Sequence, residues 1–318
     1  MSAPDPTLPQ ASRLPWVIHD GRRVRTGTAT QLRPSFGGLL RDYRRRAISV
    51  PYPGGSLKFG GRTLVMGILN VTPDSFSDGG LHFDPDRAVE AGLAMEAADV
   101  LDVGGESTRP GADPVSAAEE TRRVVPVVKA LAARGRLVSI DTTKPAVARA
   151  AFAAGARLLN DVTALADPDL AVEAARAKVP VILMHMKGAP RNMQDRPVYG
   201  DVVAEIADFF RARLDRALSL GISRARILLD PGIGFGKRPE HNLEILRRLE
   251  EFRSLGRPLV VGTSRKSFIG HVLGRSVGER RDGTSATVAA AVLRGADLVR
   301  VHDVREMADA ARMADRMK

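Results

Sequence analysis

The feature that most constrains this chain is a regular alternation of short apolar runs with longer segments of helical spacing, which starts near Ser56. There are eight runs, most of them rich in Val, Ile and Leu: 64–69, 100–103, 137–140, 157–159, 179–184, 227–229, 259–261 and 298–301. Runs that are apolar on successive positions are typical of parallel strands buried on both faces. The alternation therefore predicts a closed α/β barrel of the (β/α)8 type, with an open doubly wound sheet as the alternative.

The segments between the runs predict helices at 86–97, 117–132, 144–153, 168–177, 204–220, 241–252, 284–294 and 307–317. The eight units follow one another without a break in composition, which favours the barrel over the open sheet. A hairpin is predicted before the first run, with 57–59 and 62–64 flanking Gly60 and Gly61. Such a hairpin would plug the lower end of the barrel.

Composition restricts the class of protein. Hydrophobic residues make up 44% of the chain and charged residues 27%, which is typical of a soluble globular protein. No apolar run approaches the roughly 20 residues of a membrane helix, and residues 1–30 lack the apolar centre of a secretory signal. We therefore expect a cytoplasmic protein without a membrane partner. The absence of Cys excludes disulfides, thiolate metal sites and Cys nucleophiles.

The positive charge is concentrated at the N terminus. The chain has a net charge of +11, and residues 1–57 contribute nine Arg and three Asp to it. These residues also contain several prolines and no sustained periodicity, so we divide the chain into an irregular basic extension, 1–57, and a barrel domain, 58–318. A solvated surface extension is the preferred interpretation, and a polyanion-binding arm or a transit segment is the alternative.

Polar residues follow nearly every apolar run. They are Asn70, Asp102, Glu106, Asp141, Asn160, Asp161, His185, Asp230, Thr263, Ser264, Arg265, Lys266, Arg300, His302 and Asp303. Any one of them alone is more simply a cap or a satisfied buried group. Because the carboxyl ends of barrel strands meet at one mouth, the set predicts a polar pocket for a ligand rich in donors and acceptors.

Three loops add to this prediction. The loops at 70–80 and 104–111 are long, and their Gly and Pro residues suggest hinged lids. The loop at 230–237 lets the backbone approach a ligand and offers one aromatic ring. After the seventh run, 262–267 leads into a helix and brings N–H groups, hydroxyls and two cations to a place where an anion would bind.

Together these segments closely resemble the dihydropteroate synthase family of pterin-binding barrels. The resemblance is carried by GILNVTPDSFSDGG (67–80), GESTRPG (105–111), SIDT (139–142), ND (160–161), MHM (184–186), DPGIGFGK (230–237), SRKS (264–267) and VRVHDV (299–304). Several long motifs in the right order are far less prone to chance than one short pattern. The match runs from about Arg62 to the C terminus and leaves the extension outside it.

The resemblance implies condensation of 6-hydroxymethyl-7,8-dihydropterin diphosphate with 4-aminobenzoate, which gives 7,8-dihydropteroate and diphosphate. It implies that the pterin and its diphosphate are bound by Thr108, Asp141, Asn160, Met184, Asp230, Lys266, Arg300 and His302. Carboxylates suit the N–H groups of the pterin edge, and an amide can both donate and accept. A dissociative departure of diphosphate is expected, in which acidic groups stabilise the developing cation.

The resemblance also assigns the remaining roles. Mg²⁺ is expected at Asn70, together with substrate oxygens and waters. Asp78 and Arg109, on the two lids, are expected to complete a catalytic set with Lys266, Arg300 and His302. For 4-aminobenzoate the implied residues are Phe76, Thr108, Pro110, Phe235, Ser264 and Ser267. Sulfonamides mimic this substrate in the family, so inhibition is predicted, and substitution of Phe76, Pro110 or Ser264 is expected to change it.

Other interpretations remain beside this one. A pterin-dependent methyltransferase domain would share the Asp and Asn positions, but it would not need the 108–110 lid or the 264–267 corner. A Schiff-base aldolase would use Lys266, which lies among cations and hydroxyls rather than in an apolar pocket. RNA binding by the basic extension is the non-enzymatic alternative, although nucleic acid is not a predicted partner.

The small residues of the segment 284–296 bear on assembly. Ala286, Ala289, Ala290 and Ala291 permit close helix contact, so this helix is a candidate for part of a homodimer face. Ordinary packing against the barrel is the alternative.

Overall fold

The computed structural model of the chain describes residues 16–19, 24–27, 47–72, 84–106, 114–188, 193 and 197–318. Within the basic extension, β1 (Trp16–His19) pairs antiparallel with β2 (Val24–Gly27). A second antiparallel pair, β3 (Ile48–Tyr52) and β4 (Gly55–Phe59), directly precedes the barrel. Of the segment 1–57, the structure therefore describes two strands and the first part of this hairpin.

The N-terminal hairpin is present, but its predicted pairing is wrong. Residues 57–59 pair with 48–50 rather than with 62–64, and the chain turns at Pro53 and Gly54, where Gly54 has a φ of +94°. The observed pairing places four buried apolar side chains on one face of the hairpin: Ile48, Val50, Leu57 and Phe59. Leu64 instead begins the first barrel strand.

Eight parallel strands form the barrel. They are β5 (Leu64–Asn70), β6 (Val100–Gly104), β7 (Val138–Asp141), β8 (Leu158–Asp161), β9 (Val181–Met184), β10 (Ile227–Asp230), β11 (Val260–Val261) and β12 (Leu298–Val301). Their order is β10-β9-β8-β7-β6-β5-β12-β11. A parallel bridge between Leu229 and Leu259 joins the two ends, so the sheet is closed. The predicted (β/α)8 barrel is confirmed.

Helices surround the strands. They are α1 (Pro85–Ala94), α2 (Ala117–Ala133), α3 (Pro145–Ala154), α4 (Pro168–Ala177), α5 (Val202–Ser219), α6 (Pro239–Arg247), α7 (Ser267–Leu273), α8 (Arg281–Leu293) and α9 (Val304–Arg316). Asp84, Ser116, Asp167 and Asp201 cap four of the helix N termini through their side-chain oxygens. The predicted helix at 241–252 is in fact divided between α6 and a 3-10 segment, Leu249–Leu255. Within the described parts of the chain, no helix has the length and hydropathy needed to cross a membrane.

Alternate residues of each barrel strand point outward and inward. Outward side chains such as Val65, Leu101 and Ile140 join a large apolar cluster beneath the helices. The lower inward side chains form a second cluster with the four apolar residues of the hairpin: Leu64, Met66, Val100, Leu158, Ile182, Leu228, Val260 and Leu298. The hairpin therefore closes the lower end of the barrel, and the inward positions above this layer are available for a site.

Candidate active site

The upper inward positions of the barrel bring the predicted polar residues to one level. In the strand register, Asn70 lies opposite Gly104, Gly104 opposite Asp141, and Asp141 opposite Asn160. On the far side, Asp230 lies opposite Met184. Because Asn70, Asp141, Asn160, Met184 and Asp230 lie on inward positions at or next to the ends of their strands, their side chains line the mouth of the barrel.

An ionic network occupies one side of this mouth. Arg300 Nε donates to Asp102 Oδ2 at 2.6 Å, and Arg300 Nη2 donates to Asp141 Oδ2 at 2.7 Å. Asn160 Nδ2 donates to the same oxygen of Asp102 at 2.9 Å. The network therefore joins β6, β7, β8 and β12 across the barrel. Asp102 is one of the polar residues of the predicted strands, but the family resemblance assigns it no role.

Burial controls the ionisation of this network. It raises the pKa of Asp141 to about 7, since desolvation outweighs the attraction of Arg300 and the charge of Asp102 adds to the shift. Burial disfavours the charged guanidinium too, but the pKa of Arg300 is still raised above its usual value because Asp102 and Asp141 lie against it. Arg300 is thus a fixed cation, and Asp141 is a carboxyl that titrates near neutral pH.

Asp230 is the second inward carboxyl. Its Oδ1 accepts the N–H of Gly232 at 2.7 Å, which fixes the orientation of the carboxyl group. Burial raises the pKa of Asp230, although this hydrogen bond opposes the shift. Gly232 has a φ of +66°, and a Cβ there would lie 1.9 Å from the carbonyl oxygen of His185, so the loop requires glycine at this point.

The loop after β11 places a cation over an aromatic ring. Lys266 Nζ lies 4.0 Å from the centre of the Phe235 ring. The preceding residue, Arg265, has a φ of +55° and forms an ion pair with Asp303, its Nε donating to Oδ2 at 3.0 Å. This backbone turn lets Lys266 face the mouth while Arg265 faces outward. α7 then begins at Ser267, whose side chain is exposed.

Ser264 and His302 meet beside this loop. Ser264 Oγ lies 2.9 Å from His302 Nδ1 and also accepts the backbone N–H of His302 at 3.1 Å. The pair joins the end of β12 to the loop after β11. The structure thus brings Ser264, Lys266, Arg300 and His302 to the same part of the mouth.

The fold and this site match known proteins. A family model described as pterin binding enzyme matches residues 66–302. The dihydropteroate synthase of Escherichia coli K12 is 48% identical over 254 residues, which cover 79% of this chain and 90% of that protein. The chain belongs to the pterin-binding enzyme family. A solved dihydropteroate synthase of Yersinia pestis, in a sulfonamide drug complex, superposes with a TM-score of 0.81 at 44% identity, covering 85% of this chain and 99% of that one.

One relative of this pterin-binding family also bears on the basic extension. A probable bifunctional folylpolyglutamate synthase/dihydropteroate synthase of Haloferax volcanii is 44% identical over 315 residues, which cover 97% of this chain and 38% of that protein. An alignment that omits so little of the chain includes most of residues 1–57. The extension is thus aligned with this relative, whereas the family model begins at residue 66, and the division into extension and barrel stays a prediction.

Two polar residues that directly follow residues of this site point away from the mouth of the barrel. Asp161 accepts the backbone N–H groups of Thr163 and Leu165, at 2.8 and 2.6 Å, and so organises the loop after β8. His185 packs edge-on against the ring of Phe209 on α5, with 4.9 Å between ring centres. Both residues occupy outward positions, one step after the inward Asn160 and Met184.

His185 is held by a buried lysine. Lys237 Nζ lies 2.9 Å from His185 Nδ1 and donates to the carbonyl oxygen of Phe235 at 2.9 Å. Burial lowers the pKa of His185 to about 2, and the charge of Lys237 adds to the shift. Burial also lowers the pKa of Lys237. This pair therefore anchors the loop that carries Phe235.

Glu106, another predicted strand-end residue, also has a structural partner. It forms an ion pair with Lys144, whose Nζ lies 2.6 Å from Glu106 Oε2 and also contacts the fully buried Glu120. The other Glu106 oxygen accepts the N–H of Val115 at 2.8 Å. Five predicted site residues, on the two lids, lie outside the described residues: Phe76, Asp78, Thr108, Arg109 and Pro110.

Proposed function

We propose that this chain catalyses the dihydropteroate synthase reaction: 6-hydroxymethyl-7,8-dihydropterin diphosphate and 4-aminobenzoate give 7,8-dihydropteroate and diphosphate. The observation that carries the proposal is the convergence of Asp141, Asn160 and Asp230 with Arg300 at one mouth. These residues provide acceptors for a flat ligand edge rich in N–H groups, and a cation for the anionic group attached to it. The names of the similar proteins and the sequence motifs point to the same reaction.

At the pterin end, Asp141, Asn160 and Asp230 form hydrogen bonds with the amino-pyrimidinone edge. Asp141 and Asp230 accept N–H bonds, and the orientation of Asp230 is fixed by Gly232. Met184 lies buried opposite Asp230 and offers apolar contact to the ring. Lys266 donates to the pterin carbonyl and ring nitrogen. The carboxyl groups also stabilise positive charge that develops on the pterin as the bond between its methylene and the diphosphate oxygen breaks.

At the other end, Arg300 and His302 stabilise the negative charge of the departing diphosphate. The new bond forms between the methylene carbon and the amine nitrogen of 4-aminobenzoate, which then loses a proton. Asp78 and Arg109 are proposed to complete this catalytic set from the lids.

Mg²⁺ is the proposed cofactor. The described residues contain no group of three or more His, Asp or Glu that would hold a metal by themselves. Asn70 ends β5 with a half-buried side chain, and its amide oxygen is a hard donor that suits Mg²⁺. Since Mg²⁺ usually keeps waters and substrate phosphate oxygens as ligands, one protein oxygen beside a diphosphate fits this ion. When bound, Mg²⁺ would neutralise part of the negative charge on the departing diphosphate.

The second substrate is proposed to bind beside Phe235. Lys266 lies over one face of this ring. Ser267 begins α7 and Ser264 lies in the loop just before it, where the carboxylate of the substrate would bind. Phe76, Thr108 and Pro110 are proposed to complete this subsite. Because sulfonamides mimic 4-aminobenzoate, they should compete with it. Ser264 binds His302, so its substitution should change both inhibition and turnover.

The contacts of Lys266 also weigh against an aldolase. Its ammonium group lies over an aromatic ring, whereas a Schiff-base lysine must meet a substrate carbonyl as a neutral amine. A methyltransferase domain remains the second candidate function, since it would use the same pterin edge. Formation of dihydropteroate from 4-aminobenzoate separates the two functions.

Assembly as a homodimer is also proposed. Exposed apolar side chains concentrate around α7 and α8, where Val272, Leu273 and Val277 are 55%, 49% and 59% exposed. On α8, Ala286 and Ala290 are exposed while Ala291 is buried, so one face of small residues is available. Exposed apolar patches of this kind are typical of protein interfaces. A cytoplasmic location stays a prediction from the sequence.

The test is a turnover assay. Purified protein is mixed with Mg²⁺ and the dihydropterin diphosphate, and diphosphate release is measured with and without 4-aminobenzoate. We expect release and dihydropteroate only when both substrates and the metal are present, with strong loss in Asp141→Asn. Asp297→Asn, at the opposite end of the barrel, is the control. Pterin binding without product would favour the methyltransferase, and no pterin binding would refute the site.

A further inference from the structure

Asp102 is a fully buried carboxylate with 0% exposure, set on an inward position of β6. An ionised carboxylate in such a place is costly unless it is paired and hydrogen-bonded. Most inward neighbours in the layer below are Val, Leu and Ile. The hydrogen-bond partners of Asp102 should therefore explain why a charge is present at this level.

One oxygen atom of Asp102 holds two residues of the pterin site. Oδ2 accepts from Arg300 Nε at 2.6 Å and from Asn160 Nδ2 at 2.9 Å. These partners come from β12 and β8, on either side of Asp102 around the barrel. The other oxygen, Oδ1, is buried and has no hydrogen-bond partner among the described residues.

The contact with Asn160 fixes which end of its amide faces the mouth. An ionised carboxylate only accepts hydrogen bonds, so the NH2 group of Asn160 must face Asp102. The amide oxygen then faces away from Asp102 and is offered as an acceptor. Without Asp102 the amide is free to turn over and present its NH2 group instead, which would oppose a pterin N–H.

The contact with Arg300 fixes which edge of the guanidinium is used. Asp102 and Asp141 occupy Nε and Nη2, the side-on edge of the group. Nη1 has no partner among the residues that the structure describes, so the end-on edge remains for another anion. In a planar fork this choice of edge also sets the direction in which the cation meets its ligand.

We propose that Asp102 is a positioning residue of the synthase: it orients Asn160 toward the pterin edge and Arg300 toward the diphosphate, without touching either itself. This role rests on the proposed function. It goes beyond the residues to which the family resemblance assigns a role, since Asp102 is not among them.

Asp102 has a second, electrostatic effect that a purely structural residue would lack. Its negative charge contributes to the raised pKa of Asp141. Removal of that charge should lower the pKa of Asp141, so that Asp141 remains ionised at a lower pH. The acid side of the pH profile for pterin binding should then move to lower pH.

Two variants separate orientation from charge. Asp102→Ala removes the acceptor for both partners, while Asp102→Asn keeps one acceptor oxygen, removes the charge and places an NH2 group where the second oxygen was. Asp297→Ala and Asp297→Asn are matched controls, because Asp297 is also largely withdrawn from water but lies at the lower end of the barrel, where its Oδ2 accepts the N–H of Leu259 at 2.8 Å. Thermal unfolding is recorded for all four variants, and kcat, both KM values and pH profiles are measured.

We expect Asp102→Ala to lower kcat/KM for the pterin diphosphate on the order of 100-fold, as for a misplaced catalytic contact, with the KM for 4-aminobenzoate unchanged. Asp102→Asn should retain most of the activity that Asp102→Ala loses, and the acid limb of its pH profile should lie at lower pH. The Asp297 variants should lose stability but keep the wild-type profile.

Wild-type kinetics in Asp102→Ala would overturn the proposal. Equal loss in both Asp102 variants, with a wild-type pH profile in Asp102→Asn, would show that Asp102 only supports the fold. If Asp102→Ala does not fold, the profile of Asp102→Asn decides between these outcomes. A wild-type chain that forms no dihydropteroate would overturn the proposed function, and this role of Asp102 with it.

Discussion

Replacement of Gly232 by alanine tests how the loop after β10 supports the site. A Cβ at this position would lie 1.9 Å from the carbonyl oxygen of His185. A carbon and an oxygen in ordinary contact lie about 3.3 Å apart, so the backbone at 232 must shift by more than about 1 Å. The N–H of Gly232 donates to Asp230 Oδ1, and the same shift therefore disturbs the carboxylate proposed to bind the pterin.

Gly274 provides a matched control for this change. Its φ is +65°, against +66° at Gly232, but a Cβ there meets no atom within 4 Å. Gly274→Ala should therefore cost only the left-handed backbone strain, about 1–2 kcal/mol of the free energy of unfolding. Gly232→Ala adds the clash, and forced overpacking costs about 1–3 kcal/mol more. A misplacement of this size should also lower kcat/KM on the order of 100-fold.

The assay is urea unfolding of both variants, together with calorimetric titration of the dihydropterin diphosphate and steady-state kinetics. The expected result is a larger loss of unfolding free energy in Gly232→Ala, and loss of pterin affinity in that variant alone. Equal destabilisation by the two substitutions, with full pterin affinity in both, would refute the argument that the close approach to His185 positions Asp230.

Four further predictions follow from the same geometry. Because the pKa of Asp141 is raised to about 7, its carboxyl takes up a proton as the pH falls through neutrality, so titration calorimetry should show weaker pterin binding at low pH. The same shift means that the folded state holds this proton more tightly than the unfolded state, so Asp141 lowers the free energy of unfolding as pH rises from its ordinary pKa to about 7. Asp141→Asn should remove that dependence in thermal unfolding across the same pH range, and an unchanged slope would contradict it. Asp161→Ala, which strands the N–H groups of Thr163 and Leu165, should lower stability by about 1–3 kcal/mol without changing the KM for either substrate, whereas Asn160→Ala should raise the KM for the pterin diphosphate. Leu273→Asp should convert a dimer to a monomer in analytical ultracentrifugation, while Val172→Asp, an exposed position on α4, should not; a dimer that survives Leu273→Asp would place the interface elsewhere.

The sequence predicts the barrel well because its signal is local. Most strands are apolar on successive positions, and this pattern alone locates all eight strands to within a few residues. The same alternation separates neighbours: Asn160 and Met184 share the inward face with the apolar layer below, while Asp161 and His185 fall on the outward face. The pairing of the hairpin was harder, because Gly60 and Gly61 offer a turn as plausible as Pro53 and Gly54.

The ionic network could not be predicted in this way. Arg300 and Asp102 are 198 residues apart, and their contact depends on the order of strands around a closed sheet. The raised pKa of Asp141 likewise depends on burial and on the charges of Asp102, Glu120 and Asp161, each of which lies 20 or more residues away in the sequence. Family motifs supplied Asp141 and Arg300, but they gave no reason to include the strand residue that joins Arg300 to Asn160.

The two layers of the barrel interior explain how it holds these charges. Desolvated ions cost free energy that partners only partly offset, so a site with Asp102, Asp141, Asp230 and Arg300 depends on stability from elsewhere. The lower layer supplies it, because the hairpin covers the apolar side chains that would otherwise face water at that end. A carboxylate at one of the apolar positions of the lower layer would be buried among Leu, Val, Ile and Met side chains, where no cation would offset its desolvation. The level at which the strands change from apolar to polar thus fixes both where the charges are tolerated and how strongly Asp141 is perturbed.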